Sequence, residues 1–216
     1  MVKNLTRKER EKQRNTQAVL EAAEKVFADK GFNKAKMSDI AEVSEFSVGY
    51  LYNLWPSKDE LYLDLLSSKI EGFESPLAEQ YQRLDDAFEK LNLLIDAHFN
   101  FVEMHRDFFR IYITELSQIE VGCDNAFDDR LRQKKEHFYK LAEQAFEQGV
   151  KQGIFVGHSP HDLAIALKGI MLAFSIESLN LSSPEELREK RNTVKEIFFK
   201  SILKNPETAG KELRTS

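Results

Sequence analysis

Residues 47–61 read SVGYLYNLWPSKDEL and predict two helices separated by a proline. Two tyrosines and a tryptophan fall within six positions, interleaved with small and polar residues. Pro56 stops the first helix, because proline lacks an N–H group and clashes with the preceding turn. Ser57 then caps the second helix, with Glu60 three residues later as in a capping box. The first helix, from Ser47 to Leu54, is therefore short and has both aromatic and polar faces.

Two helical patterns precede this stretch. An apolar stripe at helical spacing predicts a first helix from Thr16 to Lys30, which Gly31 ends as a left-handed cap. A second short helix is predicted from about Met37 to Val43, and a turn at 44–46 joins it to the third. Three short helices with a tight turn between the second and the third make a helix-turn-helix. Such a unit places one small helix in the major groove of DNA.

Three motifs, AVLEAAEKVFADKGF, MSDIAEVS and SVGYLYNLWPSKDELY, together resemble the DNA-binding domain of the TetR family of bacterial transcription regulators, over residues 14–62. The resemblance implies a ligand-responsive repressor that binds a palindromic DNA operator as a homodimer and is released by a small, largely apolar effector. It implies no cofactor. Base contacts and phosphate contacts are expected from different side chains of this domain. The predicted DNA-binding residues are Lys36, Ser47, Val48, Gly49, Tyr50, Tyr52, Asn53 and Lys58, with Lys36, Tyr52 and Lys58 on phosphates.

The chain departs from the family pattern on the predicted DNA face. Lys36 stands where the family usually has a threonine that caps the second helix; a lysine can contact a phosphate but cannot cap. The turn reads Ser44-Glu45-Phe46 in place of Ala-Gly-Val, which removes the turn glycine and adds a carboxylate. Tyr50 replaces a threonine, and Asn53-Leu54-Trp55 replaces Tyr-His-Phe. These changes predict an unusual operator sequence.

The charge is distributed unevenly along the chain. The net charge is −5, but residues 1–58 carry eleven basic and eight acidic side chains, which leaves a balance of −8 for the remainder. A basic N-terminal segment on an acidic body favours DNA binding, although a solvated basic tail has the same signature. Five basic residues before the first predicted helix are expected to form a flexible arm that reaches DNA. They are Arg7, Lys8, Arg10, Lys12 and Arg14.

The rest of the chain also reads as helical, so the predicted fold class is all-α. A fourth helix is predicted from Ser57 to about Ile70, ended by Gly72. The predicted domains are a helix-turn-helix DNA-binding domain at 1–56, whose first helix starts at about 16, a helical regulatory and dimerisation domain at 57–204, and a flexible tail at 205–216. The later helices are predicted at about Asp85–Met104, Asp107–Ile119, Asn125–Gln152, Pro160–Leu181 and Pro184–Leu203.

The predicted regulatory domain offers two further sites. Its many aromatic side chains can line an apolar ligand pocket, with a histidine for a polar contact. Apolar stripes on the last two helices predict the homodimer interface. The predicted ligand-binding residues are His98, Phe99, Phe101, Met104, His105, Phe108, Tyr112 and Phe174, and the predicted interface residues are Ile165, Leu172, Ile176, Leu179, Val194, Ile197 and Phe198.

Other classes of function find little support. The sequence has no recognisable nucleophile–base pair, metal signature or glycine-rich phosphate loop, so neither an enzyme nor a metal site is predicted. Cys123 is the single cysteine, which rules out a disulfide within the chain and fits a reducing cytoplasm. No apolar run approaches the ~18 residues that span a bilayer. A helical adaptor, or a carrier of hydrophobic ligands that has lost DNA binding, stays as the alternative.

Overall fold

The computed structural model describes residues 6–119, 126–181 and 183–205, apart from the side chains at 112, 114–119, 126–136 and 184. Helices account for most of this part of the chain, and its pairing of extended backbone is limited to an isolated antiparallel bridge between Phe155 and Leu203. The predicted all-α class is confirmed. The helices are α1 (Arg7–Lys30), α2 (Met37–Ser44), α3 (Val48–Leu54), α4 (Lys58–Gln82), α5 (Ala87–Met104), α6 (Arg106–Ile119), α7 (Ala126–Lys151), α8 (Pro160–Ser178) and α9 (Pro184–Ile202).

Helix α1 begins nine residues earlier than the sequence pattern predicted. Thr6 caps it: its hydroxyl accepts a hydrogen bond from the N–H of Glu9 (3.3 Å), and the Glu9 carboxylate accepts one from the N–H of Thr6 (2.7 Å). The predicted start near residue 16 is therefore wrong, and so is the flexible arm from Arg7 to Arg14, which is helical.

Helix α4 does not end at Gly72. It continues through that glycine and through Pro76 to Gln82. A glycine inside a helix costs only about 1 kcal/mol relative to alanine, too little to end a helix that goes on to bury further side chains. Leu77 and Tyr81 are such side chains, and the Tyr81 hydroxyl donates to the carbonyl of Leu141 at 2.7 Å. Burial raises the pKa of Tyr81 to about 12.

The helices form two compact units. The first unit contains the described residues up to Lys69 together with those between Asp107 and Leu131, and the second contains the remainder. The predicted functional boundary between residues 56 and 57 is a different division and stays a prediction. The predicted tail from 206 onward, and Cys123, lie outside the described residues.

The first unit holds α1, α2 and α3 around a small core. Ile40 and Leu51 are fully buried, and Trp55 is buried while its indole N–H donates to Asp64 at 2.9 Å. Phe46, in the turn between α2 and α3, is only partly buried. The salt bridge from Lys69 to Glu24, at 2.7 Å, ties α4 to α1.

The second unit is built on α5, α8 and α9, which pack on one another. Its core is apolar, and Leu91, Phe146 and Phe199 are fully buried there. The buried Lys195 of α9 pairs with Asp96 of α5 at 2.6 Å, so the one buried cation among the described residues is neutralised by a carboxylate. This pairing fixes the register of α9 against α5.

Candidate nucleic-acid interface

A single side-chain hydrogen bond caps the N-terminus of α2. Lys36 has no side-chain acceptor, and the cap is made by Asp39, whose carboxylate accepts a hydrogen bond from the backbone N–H of Lys36 at 3.0 Å. This bond, together with Lys30 at 3.2 Å, lowers the pKa of Asp39 below its usual range. The Lys36 side chain itself is exposed. The prediction that Lys36 does not cap is confirmed, and its ammonium group is left on the surface.

The turn between α2 and α3 keeps a left-handed residue although it has no glycine. Glu45 has φ = 60° and ψ = 24°, the conformation that usually selects glycine. The turn is closed by hydrogen bonds from the N–H of Glu45 to the carbonyl of Glu42 (3.3 Å) and from the N–H of Phe46 to that of Ala41 (3.1 Å). A left-handed residue with a Cβ costs roughly 1–2 kcal/mol. The helix-turn-helix geometry is therefore retained at a local cost in strain.

Helix α3 presents most of its predicted reading residues to solvent. Val48 has 38% of its surface exposed and Tyr52 has 50%, and Gly49 and Asn53 are exposed as well. Apart from its chain neighbours and the backbone of its own helix, no atom of the described residues lies within 4 Å of where a Cβ on Gly49 would stand, so another molecule can approach the backbone at this glycine. Ser47 is exposed, and its hydroxyl caps α3 by accepting from the N–H of Tyr50 at 3.1 Å.

Tyr50 differs from its neighbours on α3. Its ring stacks on Phe46, with the ring centroids 4.8 Å apart and the planes at 21°, and it is half-buried. The stacking explains why Phe46 lies partly outside the core, and it orients the Tyr50 ring rigidly. A rigid aromatic side chain at this place suits base recognition better than a mobile one, because less conformational entropy is lost on binding.

The helix-turn-helix itself carries no positive charge. Helix α3 reads VGYLYNL and has no ionisable group other than its tyrosines. Residues 37–56 contain three acidic side chains, Asp39, Glu42 and Glu45, and no lysine or arginine. Attraction of phosphates by positively charged side chains must therefore come from other parts of the chain.

Lys58 does not extend freely from the start of α4. Its ammonium group donates to the backbone carbonyls of Phe32 (2.6 Å) and Ala35 (2.9 Å), and it lies 4.3 Å from the centroid of the Phe32 ring. Two of its three donors are thus used to hold the loop between α1 and α2. The sequence could not show these acceptors, and the predicted contact of Lys58 with a phosphate stays a prediction.

The second unit brings several predicted ligand-binding residues together. His98 accepts from or donates to the buried hydroxyl of Ser175 at 2.9 Å, and burial lowers the pKa of His98 to about 4. Its ring lies beside Phe99 (5.5 Å between centroids) and Phe138 (6.3 Å). Phe101 contacts the ring of His105 at 4.8 Å. Phe99 and Phe138 thus place apolar surface beside the imidazole of His98.

The remaining predicted ligand-binding residues are Met104, Phe108, Tyr112 and Phe174. Met104, with 71% of its surface exposed, stands at the surface end of α5 and does not line an interior site, which corrects the prediction. Phe108 is buried in the first unit, and the Tyr112 side chain lies outside the described residues. Phe174 is partly buried, with the ammonium group of Lys190 5.8 Å from its ring centroid.

Phe73 was missed because α4 was predicted to end before it. It contacts Phe101 (4.8 Å between ring centroids) and Phe138 (5.9 Å), and so links the two ends of the ring cluster. The apolar Leu77, four residues further on, was the sequence signal that α4 continues, and the structure buries it. We refer to His98, Phe73, Phe101 and Phe138 as the ring cluster.

The predicted dimer residues fall into two groups. Ile165, Ile176 and Ile197 expose 55%, 42% and 50% of their surfaces, and Leu172 and Leu179 are partly buried. The three isoleucines remain accessible to a second chain. Val194 and Phe198, with 0% and 5% exposed, belong to the core of the second unit, so their assignment to a dimer interface is wrong.

Neither a metal site nor a membrane span is found in the part of the chain that the structure describes. No group of three or more His, Cys, Asp or Glu side chains is placed there to hold an ion. No described helix is long and apolar enough to cross a bilayer.

Known proteins resemble the chain in both of its predicted domains. The family described as "Bacterial regulatory proteins, tetR family" matches residues 19–65, and "Tetracyclin repressor-like, C-terminal domain" matches residues 84–175. The transcriptional activator FasR of Mycolicibacterium smegmatis is 30% identical over 118 residues, which cover 51% of this chain and 54% of FasR. The fatty acid metabolism regulator protein of Bacillus subtilis is 24% identical over 159 residues, 74% of this chain and 78% of that protein.

Solved structures show the same fold at low identity. The regulator FadR from Bacillus subtilis in complex with stearoyl-CoA has a TM-score of 0.71 at 19% identity, and the match covers 86% of this chain and 98% of FadR. A TetR transcription regulator from Haloarcula marismortui has a TM-score of 0.74 at 21% identity, covering 89% of this chain and 100% of that one. The fold therefore extends through both units, while the curated relative FasR is matched over about half of its length.

Proposed function

Because the chain belongs to the TetR family of bacterial regulatory proteins, we propose that it is a ligand-responsive repressor, which binds a palindromic operator and releases it when an effector binds. The family consists of regulators that bind DNA and are not enzymes. The observation that carries the proposal is the exposed face of α3, with Val48, Gly49, Tyr52 and Asn53 open to solvent behind a turn of helix-turn-helix geometry. A regulator of chromosomal genes works in the cytoplasm, and we propose that location.

Base recognition by α3 would be made without charged side chains. The amide of Asn53 can pair with the edge of an adenine, and the Val48 side chain offers an apolar surface for a thymine methyl group. Tyr50, held by Phe46, would contact a base from a fixed position. Lys36 and Tyr52 flank this face and would bind phosphates.

A second copy of the chain would complete the DNA-binding surface. Family members bind DNA as dimers, and a palindrome requires two recognition helices about 34–36 Å apart, or a multiple of that distance. The exposed Ile165 and Ile176 of α8 and Ile197 of α9 supply an apolar face for the partner. Large exposed apolar side chains on helices that pack together, as α8 and α9 do, are typical of an interaction surface.

The effector would be largely apolar. The ring cluster offers aromatic surface, and His98, which is neutral at physiological pH because of its lowered pKa, adds no charge to it. FadR of Bacillus subtilis binds stearoyl-CoA, whose acyl chain is apolar, and this supports the same class of effector here. Release of DNA requires that the effector bind the DNA-free state more tightly, since equal affinity for both states shifts nothing.

The test is a binding titration with duplexes from around the protein's own gene, compared with a scrambled duplex of equal length. Fluorescence anisotropy at several salt concentrations should show a preference for at least one native duplex. Tyr50→Ala should change which duplex is preferred, since base contacts contribute ~1–3 kcal/mol of discrimination each. The control Arg188→Gln alters an exposed residue of α9 and should change nothing. If no native duplex is preferred over the scrambled one, a carrier of hydrophobic ligands becomes the better assignment.

A further inference from the structure

Helix α1 extends beyond the part that packs against the first unit. Residues 6–14 are exposed at every position, and the first buried side chain of α1 is Val19. We call residues 6–14 the N-terminal overhang. From Arg7 to Arg14 it is about 10 Å long, at 1.5 Å per residue. The Thr6–Glu9 capping box and strong helix formers keep it helical without a core of its own.

The N-terminal overhang concentrates positive charge that the protein does not neutralise. It has five basic and two acidic side chains, a net charge of +3 on a chain whose net charge is −5. Glu9 is engaged in the cap, and none of the five basic groups pairs with a carboxylate of the described residues. Lys8 and Lys12 are four residues apart, as are Arg10 and Arg14, so like charges repel along the helix surface. A polyanion would relieve this repulsion.

The helix-turn-helix shows the opposite charge balance. Residues 37–56 have three acidic and no basic side chains. Of the cations nearest to it, Lys30 pairs with Asp39 and Lys58 holds two backbone carbonyls, which leaves the exposed Lys36 as a single cation beside this element. Phosphate neutralisation supplies most of the sequence-independent affinity of proteins for DNA. In this chain that affinity has to come from somewhere other than the element that reads bases.

We propose that the N-terminal overhang is the main phosphate-binding element of this protein. Arg7, Arg10 and Arg14, spaced i, i+3 and i+7, lie on one side of α1 and present three guanidinium groups in a row, each able to hold a phosphate by two hydrogen bonds. Because the overhang and the packed part of α1 are one continuous helix, its direction relative to α3 is set by the first unit. The inference rests on the proposed DNA-binding function.

The experiment compares two triple variants with the same loss of charge. Arg7→Gln, Arg10→Gln and Arg14→Gln together remove the arginine row and keep helix-forming residues in place. The control changes three exposed cations of the second unit, Arg83, Lys151 and Arg188, to glutamine. Affinity for an operator duplex is measured at several KCl concentrations, and thermal melts check that both variants fold.

The expected result is a change in salt dependence. The slope of log affinity against log salt should become shallower by about 0.9 for each phosphate that is no longer neutralised, so by about 3 per protomer for the arginine variant. The control should keep the unmutated slope, and both variants should keep the preference for operator over scrambled DNA. An unchanged slope for the arginine variant would overturn the proposal while leaving the DNA-binding function standing.

Two further outcomes are informative. If the unmutated protein prefers no operator, the DNA-binding function itself fails. If the slope is unchanged but vesicles containing phosphatidylserine bind the unmutated chain and not the arginine variant, the overhang binds a membrane surface, and the proposal is overturned in that direction.

Discussion

Replacing Glu45 by glycine should stabilise the first unit. Glu45 occupies the left-handed region at φ = 60°, where a residue with a Cβ is disfavoured by roughly 1–2 kcal/mol. Glycine removes that strain, but it loses about 0.5–1 kcal/mol more conformational freedom on folding. The side chain is exposed, so little packing is lost with it. The expected net gain in the free energy of unfolding is about 0.5–1 kcal/mol, or roughly 1–4 °C in melting temperature for a chain of this size.

The assay can be confined to the unit that contains the turn. Trp55 is the single tryptophan, it is 6% exposed, and its indole is bonded to Asp64 within the first unit. Its fluorescence during urea denaturation therefore reports the unfolding of that unit. The midpoint should move to higher urea for Glu45→Gly, with no change in the slope that measures exposed surface.

The matched control is Glu45→Ala, which removes the carboxylate but keeps a Cβ in the left-handed region. It should give no gain in stability. If alanine stabilises as much as glycine, the charge and not the backbone strain is responsible, and the reasoning is refuted. Both variants should bind DNA more tightly than the unmutated chain at low salt, since each removes a negative charge from the turn before α3.

Three further changes test other contacts. Lys58→Met should lower the free energy of unfolding by about 2 kcal/mol, because two charge-assisted hydrogen bonds to Phe32 and Ala35 are removed; urea denaturation followed by Trp55 fluorescence measures it, and an unaltered midpoint would contradict the assigned contact. His98→Gln should flatten the pH dependence of stability: the folded pKa of about 4 lies below the ordinary value of 6.5, so the unfolded state binds more protons between these values, and the unmutated protein should lose about 2 kcal/mol from pH 6.5 to pH 5. Equal pH profiles for both proteins would show that His98 is not buried as described. Ile176→Asp should produce monomers with weakened operator binding in analytical ultracentrifugation and anisotropy, whereas Arg188→Gln, on an exposed position of α9, should not; a dimeric Ile176→Asp variant would move the interface elsewhere.

The sequence predicted well wherever periodicity and local chemistry carry the information. The stripe through Val19, Ala22 and Val26 located α1. Two later helices were predicted to begin at Pro160 and Pro184, which are the first residues of α8 and α9, and Ser159 and Ser183 are the observed caps. The start of α1 was missed because residues 7–14 contain no apolar side chain, so that only the Thr6–Glu9 capping box marked it.

Contacts between distant residues could not be predicted in this way. The acceptors of Lys58 lie 26 and 23 residues away, and nothing in its local sequence distinguishes a free ammonium group from an engaged one. The apolar stripe of α9 likewise does not show which neighbour covers it, so Val194 was assigned to a second chain although its own chain buries it. The sequence identified the five basic residues before the first predicted helix. It did not show that they are helical, because that depends on the cap at Thr6.

The absence of charge on α3 has a consequence for how operator preference can evolve. Contacts made by neutral side chains to base edges release no counterions, so their contribution to discrimination is expected to be nearly independent of salt. The ratio of affinities for operator and non-operator DNA should then stay almost constant as cellular ionic strength varies, while both affinities rise and fall together. If α3 makes the proposed base contacts, substitutions on it should change which duplex is preferred without altering the salt-dependent part of the affinity for DNA.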